Sequence, residues 1–156
     1  MKRKKWIKVL SLLFSVMLLC VGVVGCSEPP SPYEIAETAR DKTKQITGIE
    51  IPSDTELVYR YSDSQVFVPG RANRYYVFKF EEEPTEWLTN NSFDKNGNDY
   101  VEDFYYHFEN LLEVANIPQN QLPSYEKDYY CFRISAHYYF FYDLEELLLL
   151  VMLRGY

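Results

Sequence analysis

The fold is decided by the C-terminal stretch DYYCFRISAHYYFFYDLEELLLLVML, residues 128–153. Its three apolar segments, 128–134, 137–142 and 147–153, are separated by short polar breaks, a pattern that predicts three antiparallel strands in a meander. The last segment is apolar without alternation, which suits a central strand covered on both faces. A helix over this segment is the alternative, because Asp143–Glu146 resembles a helix N-terminus and leucine is a strong helix former. We favour the strand, since a four-residue turn after an aromatic strand is common in hairpins.

Two further strands are predicted upstream, over residues 55–61 and 74–80. In the first, alternation places Leu57, Tyr59 and Tyr61 on one face. The second is rich in aromatic and β-branched residues, which favour strands. A proline–glycine turn signal lies between the two segments, so we expect them to pair with each other.

A first helix is predicted to begin at Ser31-Pro32-Tyr33-Glu34. This run has the S-x-x-E form of a capping box, with proline at the first helical position. Gly48 is placed to end the helix in a left-handed cap. The stripe of apolar or small residues along this helix is narrow.

A second helix is predicted over residues 99–115, where apolar residues recur at helical spacing and either Asn98 or Asp99 serves as the cap. Residues 85–98 have no period and are predicted to form a loop anchored by Trp87. Together these elements predict an α+β fold, an antiparallel sheet of about five strands with two packed helices.

The N-terminus differs in character from the rest of the chain. Lys2-Arg3-Lys4-Lys5 is basic, residues 7–24 are largely apolar, and residues 27–32 are polar and proline-rich. Between the last two lies Val23-Val24-Gly25-Cys26, which resembles the lipobox of bacterial lipoproteins: an aliphatic residue, a small residue and the cysteine occupy the expected positions.

The resemblance implies cleavage between Gly25 and Cys26 and a diacylglycerol joined to the Cys26 sulfur, with no other cofactor. It divides the chain into a signal peptide (1–25), an acylated cysteine with a proline-rich tether (26–32) and one small domain (33–156). The domain would then lie on the extracytoplasmic face of a cell membrane, in a Gram-positive-like lipoprotein. An uncleaved membrane-spanning helix or ordinary secretion is the alternative.

The charge of the chain argues against two kinds of partner. The net charge is −7, but five of the 16 basic residues lie before Cys26 and all 23 acidic residues follow it, which leaves 11 basic residues and a balance of −12 for the rest. So acidic a domain argues against binding nucleic acid and against docking on anionic lipid headgroups.

The run from Asp94 to Glu102 resembles the start of an EF-hand calcium loop, and its candidate ligands are Asp94, Asn96, Asn98 and Glu102. The sixth position is Asp99 rather than glycine, and the twelfth is Tyr105 rather than the bidentate glutamate. An Asx-rich turn that precedes a helix explains the run better, so no metal site is predicted.

The other candidates for chemistry are few. Once Cys26 is acylated, Cys131 has no disulfide partner, and its apolar neighbours predict a buried, inert thiol. A solvated pair with Asp103 is expected for His107, and His137 is not expected to reach Cys131. No catalytic residue is assigned, although the many carboxylates leave a small envelope hydrolase, in a calcium-dependent form, as the alternative function.

Tyrosine is the unusual residue of this composition, with 15 copies, all beyond Cys26. An exposed ladder on the sheet could stack on sugars or bind a protein, and its candidate residues are Tyr59, Tyr61, Tyr75, Tyr76 and Tyr139. A half-buried sheet in an aromatic-rich protein is the other interpretation of these tyrosines, and the composition favours it. The sequence therefore predicts a lipid-anchored cell-envelope protein whose domain is a non-enzymatic binding or interaction module for an envelope protein or a wall glycan. An immunity-type protein that intercepts a toxin is one form of this prediction.

Overall fold

The computed structural model describes residues 29–63, 72–95 and 97–155, and the side chains of Gly97, Asn98 and Asn110 are outside the description. Pro32–Tyr156 forms one compact unit. Pro29–Ser31, the described part of the N-terminal unit, are exposed and have no regular secondary structure. The predicted signal peptide and Cys26 lie outside the described residues. Within the described residues, no helix has both the length and the apolar character needed to cross a membrane.

The fold is α+β, as predicted, with a five-stranded antiparallel sheet. In chain order the elements are α1 (Pro32–Thr47), β1 (Glu56–Ser62), β2 (Arg74–Lys79), α2 (Thr85–Asn90), α3 (Gly97–Ala115), β3 (Tyr129–Ile134), β4 (Tyr138–Asp143) and β5 (Leu148–Leu153). Short 3₁₀ turns lie at Gln119–Gln121 and Ser135–His137. The strand order is β1-β2-β5-β4-β3, so the predicted pairing of β1 with β2 and the meander from β3 to β5 are both confirmed.

The leucine-rich segment is a strand and occupies the centre of the sheet. Leu149 of β5 lies opposite Phe78 of β2 on one side and Tyr142 of β4 on the other. Successive β5 side chains enter two different hydrophobic clusters, one on each face of the sheet. Burial on both faces explains why this segment shows no alternation of apolar and polar residues.

Helices cover both faces of the sheet. On what we call the first face, Tyr76, Phe78 and Phe140 pack with residues of α1 and α2. On the second face, Tyr139 and Phe141 pack beneath α3. The α3 residues on that face are Val101, Phe104 and Phe108. Burying a large apolar side chain fully stabilises the fold by about 1.5–3 kcal/mol, so this aromatic double layer supplies much of the stability of the fold.

The first helix follows its prediction closely. It begins at Pro32, and Gly48 follows its last turn with φ of +79°, the left-handed conformation that glycine adopts without strain. The Gly48 backbone N–H donates to the Lys44 carbonyl, at 2.8 Å. The buried residues of α1 include Arg40. The Arg40 guanidinium donates to the Thr55 carbonyl at 3.1 Å and so ties α1 to the start of β1.

A β-bulge corrects the prediction for β1. Leu57 lies opposite Phe78 and Tyr59 opposite Val77, so β1 contains one extra residue at this point. Because strand side chains alternate, the extra residue leaves Leu57 on the first face and moves Tyr59 and Tyr61 to the second. The prediction that these three residues share one face is therefore wrong.

Two helix predictions need correction. Thr85–Asn90, predicted as part of a loop, is the short helix α2. Its Trp87 is the expected anchor: the indole Nε1–H donates to the Glu50 carbonyl at 2.7 Å, and the ring lies 5.1 Å from that of Phe93. Helix α3 begins at Gly97, before both residues that were predicted to cap it.

Candidate functional site

The candidate binding tyrosines of the sheet are not an exposed ladder. Tyr75 and Tyr139 have 0% and 1% of their surface exposed and Tyr76 has 6%, whereas Tyr59 and Tyr61 are half-buried. The exposed ladder is wrong, and the covered sheet that the composition favoured agrees with the structure, because aromatic residues line both faces of the sheet and helices cover both. These tyrosines belong mainly to the hydrophobic core.

Burial forces the tyrosine hydroxyls to find partners inside the protein. Tyr75 donates to the Gln121 carbonyl at 2.6 Å, and Tyr105 donates to the Pro123 carbonyl at 2.7 Å. The first bond fastens the segment after α3 to the second face of the sheet, and the second bond fastens it to α3 itself. Tyr142 departs from this pattern, because its hydroxyl is fully buried and finds no hydrogen-bond partner among the described residues.

A polar cluster around Asp103 joins α3 to the edge of the sheet. Tyr139 donates a hydrogen bond to Asp103 Oδ2, Arg133 Nη1 lies 2.6 Å from the same oxygen, and His107 Nε2 lies 3.4 Å from Oδ1. The Arg133 guanidinium also lies over the Tyr139 ring, 5.4 Å from its centroid. Burial and the bond to Asp103 raise the pKa of Tyr139, so this hydroxyl keeps its proton at neutral pH.

Such an arrangement holds a helix against a sheet rather than performing chemistry. Both oxygens of Asp103 are engaged by donors or a close cation, and a tyrosine with a raised pKa is a poor general base. The predicted pair of His107 with Asp103 is present, and it is half-buried rather than fully solvated. The sequence did not reveal Arg133 and Tyr139 as members, because they reach Asp103 across 30 or more residues of chain.

The outer face of α3 presents an acidic stripe around one exposed tyrosine. The stripe consists of Asp99, Glu102, Tyr106, Glu109 and Glu113, which recur at intervals of three and four residues and are all exposed. Tyr106 has 80% of its surface exposed, and nearby Val114 has 79%. The sequence of α3 contains no Lys or Arg. This stripe could have been found in the sequence as the complement of the apolar period of α3.

The residues of the EF-hand-like run take other positions. The backbone of Asp94 forms an antiparallel bridge with Cys131, with N–H to O distances of 2.8 and 2.7 Å. Gly97–Glu102 is already helical, and Glu102 is exposed. Asn96 and the side chain of Asn98 lie outside the description. In the part of the chain that the structure describes, no three His, Cys, Asp or Glu side chains could together hold a metal ion.

Cys131 is buried, with 2% of its surface exposed. Burial, with a smaller contribution from the charge of Asp94, raises the pKa of its thiol to about 12. The predicted burial of this thiol is confirmed, and the raised pKa disfavours the reactive thiolate at neutral pH. Its register partner is Phe141, and His137 lies at the far end of the β3–β4 hairpin.

Carboxylates gather in one cleft, between the segment before β1 and the segment after β2. The cleft has a volume of about 400 Å³, and its acidic residues are Asp54, Glu81, Glu82 and Glu83. Phe80 and two prolines supply its apolar lining. Charge in this cleft suits binding of a cation or a neutral hydroxylated ligand better than binding of an anion.

Comparison of the chain with models of protein families, with curated proteins and with solved structures gives no match.

Proposed function

We propose that this chain is a bacterial lipoprotein of the cell envelope. Cleavage between Gly25 and Cys26 frees a cysteine that carries a diacylglycerol thioether, and the domain is held on the extracytoplasmic face of the membrane. The basic start, the apolar core and the lipobox-like run support this proposal, and so does the start of the compact unit at Pro32, directly after the proline-rich tether. A thioether-linked diacylglycerol supplies two acyl chains, enough for stable anchoring without a spanning helix.

Intact mass of the protein extracted from membranes tests the anchor. We expect the mass of residues 26–156 plus acyl groups. The Cys26→Ala variant should instead keep its leader and gain no lipid. An unprocessed wild-type mass would contradict the proposal and would make the apolar segment a membrane anchor of the spanning kind.

The anchored domain acts as a non-enzymatic interaction module whose partner is a protein with a basic surface. The observation that carries this step is the exposed Tyr106 in the middle of the acidic stripe of α3. Tyrosine is enriched at the energetic centres of interfaces, and carboxylates around it would steer and orient a cationic partner. An envelope protein fits this surface better than a neutral wall glycan, and an immunity-type protein that captures a basic toxin is a special case.

Site-specific photo-crosslinking in the living cell tests this surface. A photoreactive residue at position 106 should crosslink to one envelope protein, whereas the same residue at Tyr33, also an exposed tyrosine, should not. The isolated partner should bind the wild-type chain, bind less as salt rises, and bind the Glu109→Lys variant more weakly. Equal crosslinking at both positions, or affinity that is unchanged by Glu109→Lys, would contradict the proposal.

The acidic cleft is the observation that supports the alternative, a small envelope hydrolase. Its Asp54 and the Glu81–Glu83 run would supply the acid and base of glycoside hydrolysis. Release of reducing ends from purified cell wall, lost in both Asp54→Asn and Glu82→Gln, would favour the hydrolase over the interaction module. Calcium that raises the melting temperature of the wild type but not of Asp94→Ala would favour its calcium-dependent form.

A further inference from the structure

Three cations converge on a cleft between α1 and the strands β1 and β2. The cleft has a volume of about 380 Å³ and its cationic residues are Lys42, Arg60 and Arg74. The side of α1 that lines it is made of Ile35, Thr38, Ala39 and Lys42, which follow the helical spacing of one face. Arg60 lies opposite Tyr76, and Arg74 opposite Ser62, so the four strand residues are neighbours on the sheet.

These cations have no acidic partners in the part of the chain that the structure describes, although the chain contains 23 acidic residues. None of the ion pairs formed by described residues includes Lys42, Arg60 or Arg74. Lys42 Nζ donates to the Gln45 side chain at 3.0 Å, and Arg74 Nη1 donates to the Ala72 carbonyl at 2.9 Å. No described Asp or Glu lines the cleft. Most N–H groups of the two guanidiniums are therefore available to water or to a bound ligand.

Tyr76 adds a second, independent observation. This side chain lines the same cleft and has 6% of its surface exposed, yet its hydroxyl makes no hydrogen bond with any described residue. Burial raises the pKa of Tyr76, and the positive charges of Arg74 and Arg60 act against the rise. A hydroxyl in the wall of the cleft that makes no bond within the described protein is free to donate to a bound ligand.

We propose that this cleft binds a phosphoryl group, with Arg60 and Arg74 as its charged donors, Lys42 as a point charge and the Tyr76 hydroxyl as a further donor. Two guanidinium forks, an ammonium and a hydroxyl provide more donors than a planar carboxylate can use, whereas a phosphate monoester or diester has several oxygens at tetrahedral angles. The volume leaves room for a glycerol or sugar attached to the phosphate. This inference goes beyond the proposed function, since it depends on neither the anchor nor the basic partner.

Two sources of a phosphoryl group exist at a membrane surface, a soluble ester and a phospholipid headgroup. Isothermal titration of the full chain in neutral detergent micelles distinguishes them, with glycerol phosphate as one probe and micelles doped with phosphatidylglycerol or phosphatidylcholine as the other. Saturable heat with glycerol phosphate identifies the soluble ester. Saturable heat only with phosphatidylglycerol identifies the headgroup. Absence of heat with both, at concentrations of tens of millimolar, would overturn the proposal.

Variants identify the donors. Arg60→Gln and Arg74→Gln should each weaken binding about tenfold, and Tyr76→Phe about threefold, because each removes charge-assisted or neutral hydrogen bonds. Lys79→Gln is the matched control, since Lys79 is an exposed cation at the other end of β2 and should bind within about twofold of the wild type. Thermal unfolding without ligand checks that each variant is folded. Because Arg60 is exposed, Arg60→Gln should disturb the fold least, and its affinity is the decisive measurement. Affinity that is equal in wild type, Arg60→Gln and Arg74→Gln would overturn the proposal.

Discussion

Removing one hydroxyl should stabilise this protein. Tyr142 is completely buried, its ring packs edge-on against Phe80 at 5.4 Å, and its hydroxyl has no hydrogen-bond partner among the described residues. A buried polar group without a partner costs about 1–3 kcal/mol, and Tyr142→Phe removes that group while keeping the ring and its packing. We expect the free energy of unfolding to rise by about 1–2 kcal/mol, which for a domain of this size raises the melting temperature by about 3–8 °C.

The matched control is Tyr75→Phe. Tyr75 is equally buried, but its hydroxyl donates to the Gln121 carbonyl at 2.6 Å, so the same change leaves a carbonyl without its donor and should lower stability by about 1 kcal/mol. Urea unfolding followed by circular dichroism measures both variants, with the slope of the transition checked for constancy. The reasoning is refuted if Tyr142→Phe is less stable than the wild type while Tyr75→Phe is unchanged.

The same pair predicts the response to alkaline pH. Burial, followed by the charges of Glu83 and Asp143, raises the pKa of Tyr142 from 10.0 to about 12. The hydroxyl therefore loses its proton at lower pH in the unfolded chain than in the folded one. Its titration leaves the free energy of unfolding unchanged below about pH 10 and lowers it as pH rises from about 10 to 12. Tyr142→Phe should therefore lose less stability over this window than the wild type does, and urea midpoints measured between pH 9 and pH 11.5 will show whether it does.

Three further predictions concern the Cys131 thiol and the side-chain contacts of Asp103 and Asp143. In the mature chain Cys131 should not react with a disulfide reagent at pH 8 until urea unfolds the protein, and one thiol per chain should then appear; rapid labelling of the native protein would contradict its burial. Asp103→Asn should cost about 1–2 kcal/mol, and a double-mutant cycle with Arg133→Gln should show coupling of about 0.3–1 kcal/mol, because the pair is partly exposed; coupling indistinguishable from zero would contradict a stabilising ion pair. Asp143→Ala should cost about 2–4 kcal/mol in a thermal melt, since it strands Lys127 and two backbone N–H groups of the following turn; a loss under 1 kcal/mol would contradict this.

The architecture of the sheet was accessible from the sequence because its signals are local. Residues 128–153 contain three apolar segments with short breaks, and the four-residue turn before the last segment favoured a strand over a helix there, as the structure shows. The caps of α1 were also readable, since proline and glycine act through their own backbone preferences. These features depend on neighbours in the sequence, and the structure agrees with them.

The errors arose where a distant contact decides the outcome. The bulge before Tyr59 depends on the register between β1 and β2, which no residue of β1 reveals alone, and it exchanges the faces of two tyrosines. The exposed tyrosine ladder was wrong for a related reason: tyrosine suits both a half-exposed surface and a core with buried partners, and only the position of the helices separates the two. The hydrogen bond of Tyr139 to Asp103 is one such partner.

Both proposed binding surfaces gather charges of one sign. Oppositely charged side chains form ion pairs at other places in the described domain, as in Lys44 with Glu50 and Lys127 with Asp143. Along α3, by contrast, like charges follow each other at helical spacing, which destabilises a helix by a few tenths of a kcal/mol per pair.

In the cleft beside α1, two arginines lie on neighbouring strands around a tyrosine hydroxyl that makes no hydrogen bond with the described residues. Natural sequences often depart from local rules at functional sites, where binding compensates for a cost to folding. The acidic stripe and the cationic cleft are opposite in charge. A cationic protein and a phosphoryl ligand would therefore bind at different places on this domain, and neither would compete with the other for the same side chains.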